Sequence, residues 1–335
     1  MAPHGNTPSA PAVPVADAQN RYFRRGGRLV RGRLLPSALL FGSLLGAPTV
    51  LVVLAGLFGA IDGLEILAVL CAALAALCFF GSVVAAWALI FVTTSKLDKA
   101  DFALFQGNRG LAMENAQWVL AWMFRSDKRM RAFYMLALVA EQNGDFAEAA
   151  AVFTAAQAST PLMAASRHET RARALITGHL ALCLAAAGDL AGARFQLQRC
   201  HAALADIGKG GGFFSFLNDD AHFGAAGLNS SLALLEPRRD PRALAALAGA
   251  LLAFREGNHY AALDLVTREG STFAYGLAPQ ERALLARIER ESSLRMQAQD
   301  VHRTPARIAE PVAPDDPSEA WADAVFEPGR RMVVR

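Results

Sequence analysis

Two long stretches of the chain contain no charged residue and no histidine, and they lie close together near the N-terminus. The first covers residues 34–61 and the second covers residues 66–95, with Asp62 and Glu65 between them. A bilayer core of about 30 Å is crossed by about 20 helical residues. The pattern therefore predicts a hairpin of two transmembrane helices within residues 34–95, joined by a very short loop.

Apolar residues recur at helical spacing throughout residues 97–300, and Gly-Asn or Gly-Asp pairs interrupt them. No segment alternates apolar and polar residues with period two, as a half-buried strand would. We therefore predict an all-α fold with a domain of paired helices at residues 97–300. No proline or glycine separates Ile90 from Ala103, so the second apolar helix should continue almost unbroken into the first helix of this domain.

The two ends of the chain lack helical periodicity. Residues 1–33 combine Pro, Ala and small polar residues with arginines, and residues 301–335 contain several prolines. We predict a disordered basic N-terminal segment and a disordered C-terminal tail. In the tail, Trp321, Val325 and Phe326 fall on one side of a short potential helix. A docking motif and a chance grouping of large side chains both remain open there.

The clearest unit of a repeat lies at residues 130–163. Small residues would let two antiparallel helices approach closely, and aromatic residues would fill the space around them. A glycine would end the first helix, because glycine adopts the left-handed backbone at low cost. The residues that define this unit are Phe133, Leu136, Ala137, Gly144, Asp145, Phe146, Ala149, Phe153 and Pro161.

The same pattern recurs in weaker form on both sides of this unit. Gly107-Asn108 precedes it, and the spacing of the later glycines predicts a degenerate unit near residues 205–240. From Pro279 onward, a helix with a polar outer face is expected to cap the domain, because a repeat array otherwise leaves an apolar end in water. The residues that define the later units are Leu180, Ala181, Gly188, Ala193, Gly257 and Ala262.

The unit at residues 130–163 resembles the tetratricopeptide repeat, a helix-turn-helix unit of about 34 residues. The resemblance extends over residues 97–300, with one near-consensus repeat. It implies an α-solenoid in which the first helix of each repeat lines a groove for a protein or peptide. Carried over to this chain, the resemblance nominates Arg131, Tyr134, Leu138, Glu141 and Gln142. Arg131 would pair with an acidic group, Gln142 would bond to a peptide backbone, and Tyr134 would supply aromatic area. Solvated helix positions are the alternative.

The charges that flank the apolar runs predict the orientation in the membrane. Six arginines precede the first run, and Lys96 and Lys99 follow the second. Since Lys and Arg resist translocation, both termini should be cytoplasmic. The excess of arginine over lysine and the abundance of alanine indicate a GC-rich bacterial genome, and hence a bacterial inner membrane. Arg24-Arg25 could instead begin a twin-arginine export signal, but the 28-residue run exceeds a typical signal core.

The sequence offers no recognisable catalytic or metal motif. Lys209 lies in a Gly-rich run that lacks the Ser or Thr of a phosphate-binding loop. Asp219, Asp220 and His222 have no second His or Cys at ligand spacing. We therefore expect no enzyme activity, no cofactor and no metal. The net charge of +3 comes mostly from the N-terminal arginines, which favours anionic lipid over nucleic acid as a partner.

These features together predict a membrane-anchored scaffold that holds a protein or peptide partner through its helical repeats. The alternative is a non-catalytic accessory subunit of a membrane enzyme or export complex, associated through the transmembrane hairpin. Gly42 and Gly46 in the first apolar run would serve either close packing of that hairpin or oligomer formation. A third reading is an enzyme whose site follows no familiar motif.

Overall fold

The computed structural model describes residues 19–26, 28–30, 35–61, 64–123, 126–159, 167–209 and 240–300, together with Trp321 and Val325. In these parts the protein is helical apart from two very short strands. The described residues form two compact units, one within residues 23–132 and the other made of the remainder. The helices are α1 (Leu35–Gly59), α2 (Glu65–Phe105), α3 (Arg109–Trp122), α4 (Ser126–Gln142), α5 (Phe146–Ala158), α6 (Arg167–Ala187), α7 (Leu190–Lys209), α8 (Pro241–Arg255), α9 (His259–Arg268), α10 (Gly270–Gly276) and α11 (Pro279–Asp300).

Helix α2 has 41 residues and no break, so it is about 60 Å long. It confirms the prediction that the second apolar run continues into the next helix. Most of its large apolar side chains in the first two thirds are exposed, including Leu77 (75%) and Phe91 (76%). Among the described residues, α2 is the one helix long and apolar enough to cross a membrane, and Gly46–Gly59 of α1 forms a shorter apolar stretch. Helices α1 and α2 pack against each other.

The last third of α2 has a different environment from the first two thirds. Thr93, Leu97, Ala100 and Ala103 are buried, and this part of the helix lies against α3. Their spacing of three or four residues places them on one face. One continuous helix thus has an exposed apolar part followed by a part that packs against protein.

Five of the described glycines adopt the left-handed backbone. One is Gly26 in the N-terminal segment, and the other four stand at the turn positions that the sequence pattern predicted. Each of these four ends one helix of a pair, and the next helix begins two residues later. The pairs are α2–α3, α4–α5, α6–α7 and α8–α9. The glycines and their φ angles are Gly107 (75°), Gly144 (76°), Gly188 (91°) and Gly257 (78°).

The helix pairs from α5 onward enclose a core of alanine, leucine and aromatic side chains. Helix α6 contacts α5, α7 and α8, and α8 also contacts α7. Pro161 and most of the predicted degenerate unit near residues 205–240 lie outside the described residues. The repeat-defining apolar residues that are described are all buried: Phe133, Leu136, Ala137, Phe146, Ala149, Phe153, Leu180, Ala181, Ala193 and Ala262.

The ends of the chain require a correction, because parts of both have defined structure. A 3-10 helix at Arg21–Phe23 leads into β1 (Arg24–Arg25), which pairs antiparallel with β2 (Arg28–Leu29). Tyr22 is fully buried, and so is Val325 of the tail. The prediction of disorder is therefore wrong for these residues. Buried aromatic and aliphatic contacts outweigh the polar composition around them.

Candidate functional site

The turn between α4 and α5 uses its acidic residue differently from the other three glycine turns. In those turns, the side chain after the glycine caps the next helix by accepting a backbone N–H three residues on. The acceptor and donor residues are Asn108 and Leu111 (3.1 Å), Asp189 and Gly192 (2.9 Å), and Asn258 and Ala261 (3.1 Å). Asp145 makes no such cap. It accepts hydrogen bonds from Tyr22 Oη (2.6 Å) and from Arg21 instead.

The N-terminal segment is thereby bound to the α4–α5 turn. The Tyr22 hydroxyl also accepts a hydrogen bond from Asn143 Nδ2 at 2.9 Å. Asn20 Nδ2 donates to the carbonyl oxygen of Glu148, near the start of α5, at 3.1 Å. Burial, and then the hydrogen bond to Asp145, raise the pKa of Tyr22 well above its usual value. The phenol is therefore held in its neutral form at this turn.

The C-terminal tail contacts the same turn through Trp321. The indole is 1% exposed, and its Nε1 donates to the main-chain oxygen of Glu141 at 2.7 Å. Its ring lies edge-on to Phe146, with the centroids 5.7 Å apart. Glu141 lies in the last turn of α4, and its carbonyl oxygen also accepts a hydrogen bond from the Gly144 N–H at 2.9 Å. The indole therefore adds a second donor to a carbonyl oxygen of the turn.

A second tail residue, Val325, is fixed on a different helix. Its main-chain oxygen accepts a hydrogen bond from Arg255 Nη2, at the end of α8. Trp321 and Val325 are each helical and stand four residues apart in the sequence. The tail is thus held at two points, by Glu141 of the second helix pair and Arg255 of the fourth.

Beneath the Trp321 contact, three helices bring ionisable side chains together in the interior. Glu141 of α4, His179 of α6 and Glu281 of α11 are at most 1% exposed. His179 Nδ1 lies 2.8 Å from Glu141 Oε2. One potential ligand atom from each of the three residues lies within 4.8 Å of the other two. A histidine and two carboxylates form a donor set that divalent metal ions use in proteins.

Packing fixes the orientation of two members of this cluster. The His179 ring is stacked on Phe153, with centroids 5.3 Å apart, and lies edge-on to Tyr134 at 5.8 Å. Glu281 Oε2 accepts a hydrogen bond from the Ala278 N–H at 2.7 Å, at the start of α11. The imidazole plane and one carboxylate are therefore positioned by contacts outside the cluster.

The buried cysteines of this unit are poor nucleophiles. Cys183 lies one helical turn after His179, and burial, followed by the charge of Glu141, raises the pKa of its thiol well above the usual value. Burial raises the pKa of Cys200 to about 11, and its Sγ lies 3.2 Å from the carbonyl oxygen of Ala174. Both thiols stay protonated at neutral pH, as expected of core residues.

The five residues nominated as a groove lining do not form an open surface. Gln142 is half-buried, and Arg131, Tyr134, Leu138 and Glu141 are buried. The predicted accessible lining is therefore wrong for these four positions, because other side chains already cover them. Tyr134 packs on Phe153 and His179.

Arg131 shows why the prediction failed, because it already has acidic partners within the chain. Its Nη2 donates to Asp98 Oδ1 at 3.1 Å and also bonds to Asp101. Burial lowers the pKa of Arg131 to about 10, and the charge of Asp98 opposes that shift. The expected carboxylate partner of this arginine thus comes from α2 rather than from a bound peptide.

Sequence reasoning missed His179, Glu281 and Tyr22 as site residues. The cluster residues are far apart in the chain and lie at no metal-ligand spacing, so no local signal joins them. The large side chains of the tail were the available signal for the Trp321 contact. No family model, curated protein or solved structure matches this chain.

Proposed function

We propose that this protein is a membrane-anchored scaffold that binds a short helical peptide on a tetratricopeptide-like solenoid. The observation that carries the proposal is the burial of Trp321 against Phe146, with the indole N–H bonded to the carbonyl oxygen of Glu141. A buried tryptophan with one directed hydrogen bond is a common anchor at protein interfaces. The C-terminal tail of the chain itself would occupy the site that a partner peptide binds.

The membrane part of the proposal is supported by the charge-free, exposed side chains of α2. Phe80 (69%) and Trp87 (70%) would otherwise lie in water, whereas a bilayer would cover them. With α1 packed on α2, we propose a two-helix hairpin in a bacterial inner membrane. The arginines before α1 and the lysines after residue 95 favour cytoplasmic termini.

The peptide part of the proposal rests on the two anchors of the tail. Trp321 and Val325 are four residues apart, so a partner would need an aromatic and an aliphatic residue at that helical spacing. Both anchoring bonds use main-chain oxygens, one on the solenoid and one on the tail. The side-chain fit to Phe146 would therefore decide which peptides bind.

The test uses the full chain with Trp321→Ala, purified in detergent, and a fluorescent peptide of residues 315–330. We expect the variant to bind the peptide in the micromolar range, measured by fluorescence anisotropy. The wild-type chain should bind it at least about tenfold more weakly, because its tethered tail competes at an effective concentration of about a millimolar. A peptide with alanine in place of tryptophan is the matched control.

Equal binding of the two peptides would overturn the proposal, and so would no binding to the variant at any accessible concentration. The other function that the sequence predicts, an accessory subunit associated through the transmembrane hairpin, stays a prediction. It would be favoured if a membrane complex kept the protein after Trp321→Ala and lost it after changes to the exposed face of α2.

A further inference from the structure

The cluster of Glu141, His179 and Glu281 has an unusual charge composition for a protein interior. Two carboxylates face one imidazole, and each residue is at most 1% exposed. Removing a carboxylate from water is costly unless a cation or a hydrogen-bond donor compensates it. The imidazole supplies at most one positive charge to this cluster, so the cluster alone does not balance two ionised carboxylates.

Glu141 gives a second, independent indication that something is bound here. Its Oε1 is buried and accepts no hydrogen bond from any of the described residues. A buried carboxylate oxygen in a native structure normally has a partner. The other oxygen of the same carboxylate, Oε2, lies 2.8 Å from His179 Nδ1, so the oxygen without a partner belongs to a carboxylate that already lies in the cluster.

We propose that Glu141, His179 and Glu281 together bind one divalent transition-metal ion, for which Zn²⁺ is the probe. The site supplies one imidazole nitrogen and two carboxylate oxygens, a set that suits Zn²⁺ and its first-row neighbours. A neutral imidazole, two carboxylates and a divalent cation together carry no net charge. The ion would thus account for the buried charges of the cluster.

The distances require only small side-chain movements. With metal–ligand bonds of about 2.0–2.1 Å, tetrahedral ligand atoms lie about 3.3 Å apart. The ligand atoms here lie within 4.8 Å of one another. Glu141 Oε2 and His179 Nδ1, at 2.8 Å, would separate slightly as the ion enters between them.

Complete burial favours a structural role for the ion over a catalytic one, since catalytic sites keep a position open to substrate. The ion would join α4, α6 and α11, which are distant in sequence. It would also fix the last turn of α4, whose Glu141 carbonyl holds Trp321. The metal site does not depend on the proposed peptide site, and either can fail without the other.

The test starts from the full, untagged chain in detergent, stripped with a chelator and dialysed against a small excess of Zn²⁺. Elemental analysis should find about one equivalent of zinc per chain. The variants His179→Gln and Glu281→Gln should bind Zn²⁺ at least about 100-fold more weakly. His201→Gln and Glu289→Gln change exposed residues of α7 and α11 and are matched controls that should retain the metal.

A second measurement on the wild-type chain keeps the test decisive if a variant fails to fold. Titration with Co²⁺ should give the visible absorption bands of a site with few ligands. Added Zn²⁺ should displace the Co²⁺, so that these bands disappear, and Zn²⁺ should raise the Tm of the protein. The proposal is overturned if the wild-type chain retains less than about a tenth of an equivalent of zinc. It is also overturned if His179→Gln and Glu281→Gln bind as well as the two controls.

Discussion

Two turns of this protein have nearly the same sequence and different uses. Gly144-Asp145-Phe146 and Gly188-Asp189-Leu190 both follow a helix, and both glycines have positive φ. Asp189 caps its own helix through the Gly192 N–H, whereas Asp145 bonds to Tyr22 and Arg21. Phe146 is buried under Trp321, and Leu190 is only half-buried.

The difference separates what forms a turn from what the turn does. The glycine and the following acidic residue are sufficient to end one helix and begin the next. Contacts with segments far away in the sequence determine whether the carboxylate caps its own helix or bonds to another part of the chain. At Asp145, a cap worth about 1 kcal/mol is replaced by bonds to the N-terminal segment, and the turn becomes the meeting point of both chain ends.

The largest expected difference between the turns comes from their apolar residues. Phe146→Ala should lower the free energy of unfolding by about 3–4 kcal/mol, because it leaves a cavity under Trp321. Leu190→Ala should lower it by about 1 kcal/mol, since Leu190 is partly exposed. Denaturant unfolding of the full chain in detergent, followed by circular dichroism, measures both. Equal losses would mean that the tail adds nothing to the first turn.

Exchange of the two acidic residues for asparagine sharpens the comparison. Asp145→Asn should lower the free energy of unfolding by about 1–2 kcal/mol, because it removes the charge that Tyr22 and Arg21 bind. The share from Arg21 is small, because the Arg21 side chain is exposed to solvent. Asp189→Asn should cost less than about 0.5 kcal/mol, because asparagine caps equally well. Faster tryptic cleavage at the N-terminal arginines should accompany only the first change. If both variants are cleaved at the wild-type rate, Asp145 does not hold the segment.

The glycines should behave alike where nothing crowds them. At Gly188 and Gly257 an added Cβ would meet no atom within 4 Å, so only backbone strain opposes a side chain. Gly188→Ala and Gly257→Ala should each cost about 1–2 kcal/mol. Gly249→Ala, inside α8, is the control with ordinary backbone. A cost at Gly188 no larger than at Gly249 would contradict the role given to positive φ.

At neutral pH, Tyr22→Phe should lower the free energy of unfolding by only about 1 kcal/mol, but its pH dependence is distinctive. The folded pKa of Tyr22 is raised by burial and Asp145, above an unfolded value of about 10. The contribution of the neutral phenol is therefore complete below pH 10 and is lost as the pH rises further. Unfolding free energies measured from about pH 9 to 11.5 should fall more steeply for wild type than for Tyr22→Phe. If the unfolding free energies of the two proteins change with pH in parallel, the Tyr22 phenol is exposed to water and the proposed contact is wrong.

The sequence alone supports the local part of this structure. The turn glycines are predictable because positive φ excludes most side chains, and the core alanines are predictable because they recur at helical spacing. The continuity of α2 follows from the lack of any helix breaker. Each of these features depends on residues within a few positions of one another.

The contacts that build the candidate site depend on long-range pairing, and no local pattern contains it. Tyr22 reaches Asp145 across 123 positions, and Trp321 reaches Glu141 across 180. The repeat pattern also indicated which face of α4 the groove residues share, but not what covers that face. Arg131 was therefore assigned to a peptide although Asp98 and Asp101 already bind it.

The unbroken course of α2 restricts how the length of this protein can change during evolution. Each residue inserted between its exposed apolar part and Thr93 would turn the two parts by about 100° relative to each other. Seven inserted residues would restore the original alignment to within about 20°. In related proteins, we therefore expect insertions and deletions within α2 to come in steps of about seven residues. Insertions in the loops between helices have no such constraint on their length.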